Sequence, residues 1–132
     1  MAYSGPERRE FIRVPLAIPV RYSVVDTHQE GQESETEDIS TGGMRLLLRG
    51  ELPVGTLLKL KFELKLKFEL LREQKVIQFD ALEAKIVWVE PNNNLDYPYK
   101  AGIQFINIEL HESIRISNCI YYRADLLKKP FR

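Results

Sequence analysis

The chain has 132 residues, 44% hydrophobic and 29% charged, with 19 Lys+Arg balanced by 19 Asp+Glu. That length suits one domain with a real core, and zero formal net charge gives no support to nucleic-acid or membrane adhesion through bulk charge. Cys119 is the single cysteine, which excludes an internal disulfide and a thiolate zinc cluster. No apolar run approaches the roughly 20 residues that span a bilayer and no apolar signal segment opens the chain, so the expectation is a soluble, cytoplasmic protein without membrane insertion.

Residues 1–8 contain Gly5 and Pro6 and little to bury, and read as a flexible tail. Val14 to Val25 reads as a first strand, with Ile18, Val20, Tyr22 and Val24 on one face. Pro15 and Pro19 make its beginning an edge or an irregular segment. Asp26 to Asp38 is acidic and contains no Lys or Arg. It reads as a turn at His28 to Gln32 and then a solvated strand; its carboxylates lack the spacing of a Ca²⁺ loop. Met44 to Leu48 is a short strand, and Pro53 and Gly55 mark the turn after it.

From Leu58 to Leu70 apolar residues alternate strictly with Lys and Glu. Leu, Lys and Glu favour helix, but a helix would spread this pattern round its circumference, so the period of two predicts a strand. Lys59 to Leu64 reads KLKFEL and Lys65 to Leu70 repeats it unchanged. Six is even, so a tandem copy keeps every side chain on its face while adding about 20 Å of strand. Part of this strand is expected to project as a hairpin arm, and an exposed apolar face on that arm would favour a homodimer through the hairpin 57–89.

Val76 to Val89 returns. Ile77, Phe79 and Ala81 share one parity; Leu82, Ala84, Ile86 and Trp88 share the other. The flip near Asp80 to Leu82 predicts a β-bulge. On this parity Trp88 reads as a barrel-core aromatic. Tyr97 to Ile108 is the last strand, followed by a helix from about Glu109 to Lys128 that Asn107 could cap. Ile116, Ile120, Ala124 and Leu127 recur at helical spacing, and Pro130 stops the helix. Cys119 reads as a half-buried helix residue; His28 and His111 read as surface residues.

Two short stretches carry the chemistry. Arg8, Arg9 and Arg13 fall within six residues of a loose leader, Arg9 and Arg13 in the spacing RxxxR. Arginine offers a planar, permanently charged fork that pairs with phosphate and stacks on flat rings, so this is an anion clamp. Asp38-Ile39-Ser40-Thr41-Gly42-Gly43 places a carboxylate and a hydroxyl two residues apart, on one face of an extended segment. Two glycines then allow a tight turn with φ > 0 and close approach to the backbone. Asp38 and Ser40 could instead serve only to shape that turn.

RxxxR followed by DxSxxG resembles the PilZ domain, a bacterial receptor module for cyclic di-GMP. Both halves are complete, and Gly102-Ile103-Gln104-Phe105 adds the family's GxxF pattern in the last strand. The resemblance runs from about Arg8 to Ile108. It implies a mainly β fold, a six-stranded antiparallel barrel over residues 9–108 with a C-terminal α-helix and tail in 109–132. It also implies a ligand-binding set of Arg8, Arg9, Arg13, Asp38, Ser40 and Gly43, with Trp88 a secondary candidate because some relatives place a ligand-contacting aromatic in that strand.

The implied ligand has two phosphodiesters and two guanines. Arg9 and Arg13 suit phosphate or the guanine O6/N7 edge; Asp38 suits the N1–H and N2–H₂ donors; Ser40 adds a hydroxyl. At Gly43 a side chain would crowd the turn or the ligand. The leader is expected to order on binding and present a new surface to a downstream protein, in motility, secretion or the polysaccharide synthesis of biofilms. The alternative is a PilZ-like interaction module that does not bind the nucleotide. Catalysis is not expected: Ser40 has no histidine nearby in sequence, and neither a His/Cys metal cluster nor a Walker loop is present. No cofactor or metal is expected.

Overall fold

The computed structural model describes residues 13–68 and 73–128, with side chains described for 13–65 and 76–120. Its elements are β1 (Val14–Pro15), β2 (Pro19–Val24), β3 (Gln32–Ser40), β4 (Gly43–Leu48), β5 (Leu57–Phe68), β6 (Glu73–Pro91), β7 (Tyr99–Phe105) and α1 (Leu110–Lys128). All pairings are antiparallel, in the order β1-β3-β2-β5-β6-β7-β4, and β3 also pairs with β4. Because β1 and β2 lie along the same side of β3, they are two pieces of one broken strand. The sheet is thus a closed six-stranded barrel, as the sequence implied.

The parting of β2 from β5 has a chemical cause. The ladder between β2 and β5 runs from Val24↔Leu58 to Val20↔Phe62 and ends there. The next residue, Pro19, has no N–H to donate. Beyond Phe62, β5 continues against β6 alone, to Phe68↔Glu73, which is the expected hairpin arm. The described part of its apolar face is not exposed: Leu64 and Ile77 are buried in the main core.

That core fills the barrel. Val14, Ile39, Met44, Ile103 and Ile86 are successive cross-strand partners through β1, β3, β4, β7 and β6, and all are buried. Each fully buried side chain of this kind contributes about 1.5–3 kcal/mol. Phe62 stacks on Phe79 at 4.9 Å and on Phe105 at 6.4 Å. The helix packs against β1, β3 and β5, sinking Ile116, Cys119 and Ile120 into the same core. Cys119 is therefore fully buried rather than half-buried; Ala124 and Leu127 lie outside the described side chains.

The helix start differs from expectation. Asn107 has φ 52° and its amide donates to Glu83 Oε1 at 2.7 Å, so it serves the loop. The residue before the helix is Glu109, whose N–H is met by Glu112 Oε1 at 3.4 Å, the reaching-back half of a capping box.

Among the described residues three bulges interrupt the alternation. The one expected near Asp80 is present: Leu60 pairs with Leu82 but Phe62 with Phe79, so β6 carries the extra residue. The other two place one extra residue in β3, at Glu37, and one in β6, at Val87. Each reverses the face of everything beyond it, and these two build the candidate site.

Candidate ligand-binding site

Ser34 and Thr36 are buried, paired with Val20 and Leu46 of the core. On strict alternation Asp38 and Ser40 would follow them inward. The extra residue at Glu37 turns Ile39 into the core instead and sends Asp38 and Ser40 to the outer face. The bulge at Val87 does the same to Trp88. Ala84 and Ile86 point into the core, and Trp88, two residues on, stands opposite Gly102 on the outside. The expectation of a barrel-core Trp88 is corrected: the pattern was continued through a bulge it did not reveal.

The two bulges bring one cross-strand row into line on the outer wall: Pro15, Asp38, Arg45, Gly102 and Trp88 are successive partners through β1, β3, β4, β7 and β6. Directly opposed residues share a face. Asp38 is the electrostatic centre of the row. Arg13 Nη1 donates to its Oδ1 at 2.7 Å and Arg45 Nε lies 3.1 Å from its Oδ2. The carboxylate is only 12% exposed, whereas the guanidinium groups are 35% and 41% exposed. Two cations share one largely buried anion, so that the guanidinium groups rather than the Asp38 carboxylate meet solvent. Lys100, 3.8 Å from Glu37 and 3.9 Å from Glu90, ties the flank. Arg13, Arg45, Trp88, Glu90 and Gly102 line a shallow groove of about 340 Å³.

The expected glycine turn is made differently. Gly43 does not occupy the left-handed region; a Cβ there would lie 1.9 Å from the Ile103 carbonyl oxygen of β7. The requirement is close strand approach, so the turn needs no positive φ at this glycine. Ser40 is buried and donates to the Gly43 carbonyl oxygen at 3.3 Å; its role in this structure is to brace the turn. Thr41 and Ser117 share a hydrogen bond at 2.9 Å, fixing the turn to the helix. Arg8 and Arg9 lie outside the described residues. The structure thus brings Arg13, Asp38 and Trp88 to one face, with Ser40 and Gly43 supporting it from beneath.

Sequence reasoning missed Arg45. The available signal was a lone charge inside the apolar strand Met44-Arg45-Leu46-Leu47-Leu48. Nor did it name the neighbour of Gly102, the first residue of the GxxF pattern, which is Trp88: a Cβ on Gly102 would fall 2.1 Å from the indole Nε1. Trp88 is the single tryptophan, so its emission reports this site alone. Gly102→Ala is expected to lift the indole off the wall and shift that emission to longer wavelength; an unchanged spectrum counts against the packing described.

Larger or comparable cavities lie elsewhere. One of about 670 Å³ opens where β2 leaves β5, between Ile18 and Leu64, and contains none of the motif residues. Glu109, His111 and Glu112 come within 4.8 Å of one another at the helix start, but they are an outward-facing group in which Glu112 is engaged in capping. No described helix is long and apolar enough to cross a membrane.

The fold is shared with solved structures of low sequence identity. The Bacillus subtilis inhibitor of motility MotI/DgrA matches over 95% of this chain and 55% of its own, with a TM-score of 0.68 and 16% identity. This chain therefore spans about half the length of that protein. The PilZ domain of YcgR from Escherichia coli, solved with c-di-GMP, matches over 92% of this chain and 95% of its own, with a TM-score of 0.64 and 14% identity. The PilZ domain of CeSA from a cellulose-synthesizing bacterium covers 84% of this chain and 96% of its own, at a TM-score of 0.52 and 18% identity. No match is found among curated proteins. The family model for the PilZ domain matches residues 7–122, a span that takes in the barrel, the arginine leader and most of the helix, and the chain belongs to the PilZ domain family.

Proposed function

We propose that this protein is a receptor for cyclic di-GMP that acts by binding and not by catalysis. The observation that carries the reading is the contact between the two motif halves. Arg13, the last arginine of the leader, sits 2.7 Å from Asp38, the first residue of the DxSxxG turn, although 25 positions separate them. A guanine dinucleotide needs cations for its phosphates and an acceptor pair for the N1–H and N2–H₂ groups of its bases. Two half-exposed guanidinium groups paired with one sheltered carboxylate offer both, beside a groove that the two arginines line. That a PilZ relative of the same fold was solved with c-di-GMP supports the same ligand here. Titration calorimetry with cyclic di-GMP tests the reading; absence of binding at millimolar ligand sinks it and leaves the interaction module that does not take the nucleotide.

In this reading Arg8 and Arg9 join Arg13 on the ligand, Ser40 contributes its hydroxyl, and the leader orders over the outer wall to form a surface for a downstream protein in the cytoplasm. Ordering a free segment costs part of the gross binding energy, so the leader's protection should depend on ligand. Hydrogen exchange across residues 5 to 14 is expected to slow at saturating cyclic di-GMP; identical exchange with and without ligand rejects the switch while leaving binding intact. A homodimer through the hairpin 57–89 draws no support from Leu64 and Ile77, which are buried. Sedimentation over a broad concentration range decides it.

A further inference from the structure

We infer that Arg45, which lies outside both motifs, completes a three-point reader of guanine with Asp38 and sets the specificity of the site against adenine. The inference rests on the receptor reading above. Asp38 and Arg45 are direct cross-strand partners, and Arg45 Nε lies 3.1 Å from Asp38 Oδ2. Carboxylate and guanidinium are both planar, and they lie side by side as an ion pair. Arg45 keeps several N–H donors on its fork, those on the Nη atoms among them. The edge it forms with Asp38 therefore reads donor, acceptor, acceptor.

Guanine's pairing edge reads acceptor, donor, donor: O6, N1–H, N2–H₂. The two edges are complements. Each carboxylate oxygen has more than one lone-pair direction, so Asp38 can accept N1–H and N2–H₂ while keeping its guanidinium partners. Arg45 then meets O6. Adenine presents an N6–H₂ donor where O6 would be and an N1 acceptor where Asp38 needs a donor. It would set donor against donor and acceptor against acceptor. A site built to hydrogen-bond a group rejects the analogue that lacks it far more strongly than an apolar pocket rejects a misfit. The indole of Trp88, laid over Gly102, continues the same row, a flat surface on which a base can rest beside this edge.

The test is competition binding of cyclic di-GMP, cyclic di-IMP (which keeps O6 but lacks the 2-amino group) and cyclic di-AMP to wild type, Arg45→Ala and Arg45→Lys, with melting curves to verify folding. Arg45→Ala is expected to weaken cyclic di-GMP and cyclic di-IMP alike by about tenfold or more and to leave cyclic di-AMP unchanged. Arg45→Lys, which keeps the charge but not the planar fork, should stay weak. Wild type that binds with an Arg45→Ala affinity within twofold overturns this inference and leaves the receptor reading standing. An equal loss on all three ligands, or full rescue by lysine, assigns Arg45 to phosphate and also overturns it. A wild type that binds none of the three defeats the receptor reading itself.

Discussion

Replacing Arg9 and Arg13 together by alanine should abolish cyclic di-GMP binding at micromolar ligand without unfolding the barrel. A charge-assisted hydrogen bond contributes roughly 1.5–3 kcal/mol, and micromolar affinity amounts to about 8 kcal/mol in all. Loss of two such partners therefore removes a large share of the total, on the order of a hundredfold or more in Kd. The fold should tolerate the change because Arg13 is over one-third exposed and Arg45 still holds Asp38, while exposed ion pairs contribute little to stability. Calorimetry read beside a melting curve checks both halves. Binding within threefold of wild type would detach the arginine leader from the site.

Gly43→Ala is the substitution expected to cost most stability. The new Cβ would meet the Ile103 carbonyl carbon at 3.0 Å and its oxygen at 1.9 Å. These are backbone atoms of β7, in register with β4 through six pairs from Gly43↔Gln104 to Leu48↔Tyr99, so no rotamer change relieves the clash. The strands must part at the barrel seam or the turn must be rebuilt. Overpacking against an immovable neighbour costs about 3 kcal/mol or more, which for a domain of this size lowers the thermal midpoint by roughly 10 °C. Binding should fall with it, since the same turn carries Asp38 and Ser40. A midpoint within 2 °C of wild type, a span of about 0.5 kcal/mol, would mean that the seam is looser than the structure has it. Gly55, by contrast, has φ 94° and open space around it, so substitution there acts through backbone conformation only.

The barrel was legible because most of its strands obey a single rule. The alternation of Leu and Phe with Lys and Glu in β5 outweighed three good helix formers, and the structure gives twelve residues of strand. The bulge at Asp80 was legible because apolar residues stand on both sides of it, so the change of parity shows in the letters. The bulge at Glu37 was not, because Ser34 and Thr36, which point inward before it, are as polar as Asp38 and Ser40, which point outward after it. Their inward hydroxyls are satisfied by backbone carbonyls: Ser34 donates to Leu47 and Thr36 to Leu16. At Val87 the disguise is the reverse, since Trp88 is apolar enough to pass for core. The two motif halves were legible as short patterns. Their meeting was not, because it depends on register across β1, β3 and β4, and so Arg45 went unseen.

One consequence of the surplus residues in β3 and β6 concerns how this fold tolerates lineage drift. Insertions are ordinarily confined to loops, where they leave the scaffold untouched. Here the extra residue sits inside a strand and a bulge absorbs it, so Asp38 still lies opposite Arg45. Deleting Glu37 alone would restore strict alternation from Thr36 and leave Asp38 on the outer wall. A strand of this barrel can therefore gain or lose one residue and keep its signature turned to solvent, provided that a bulge takes up the difference.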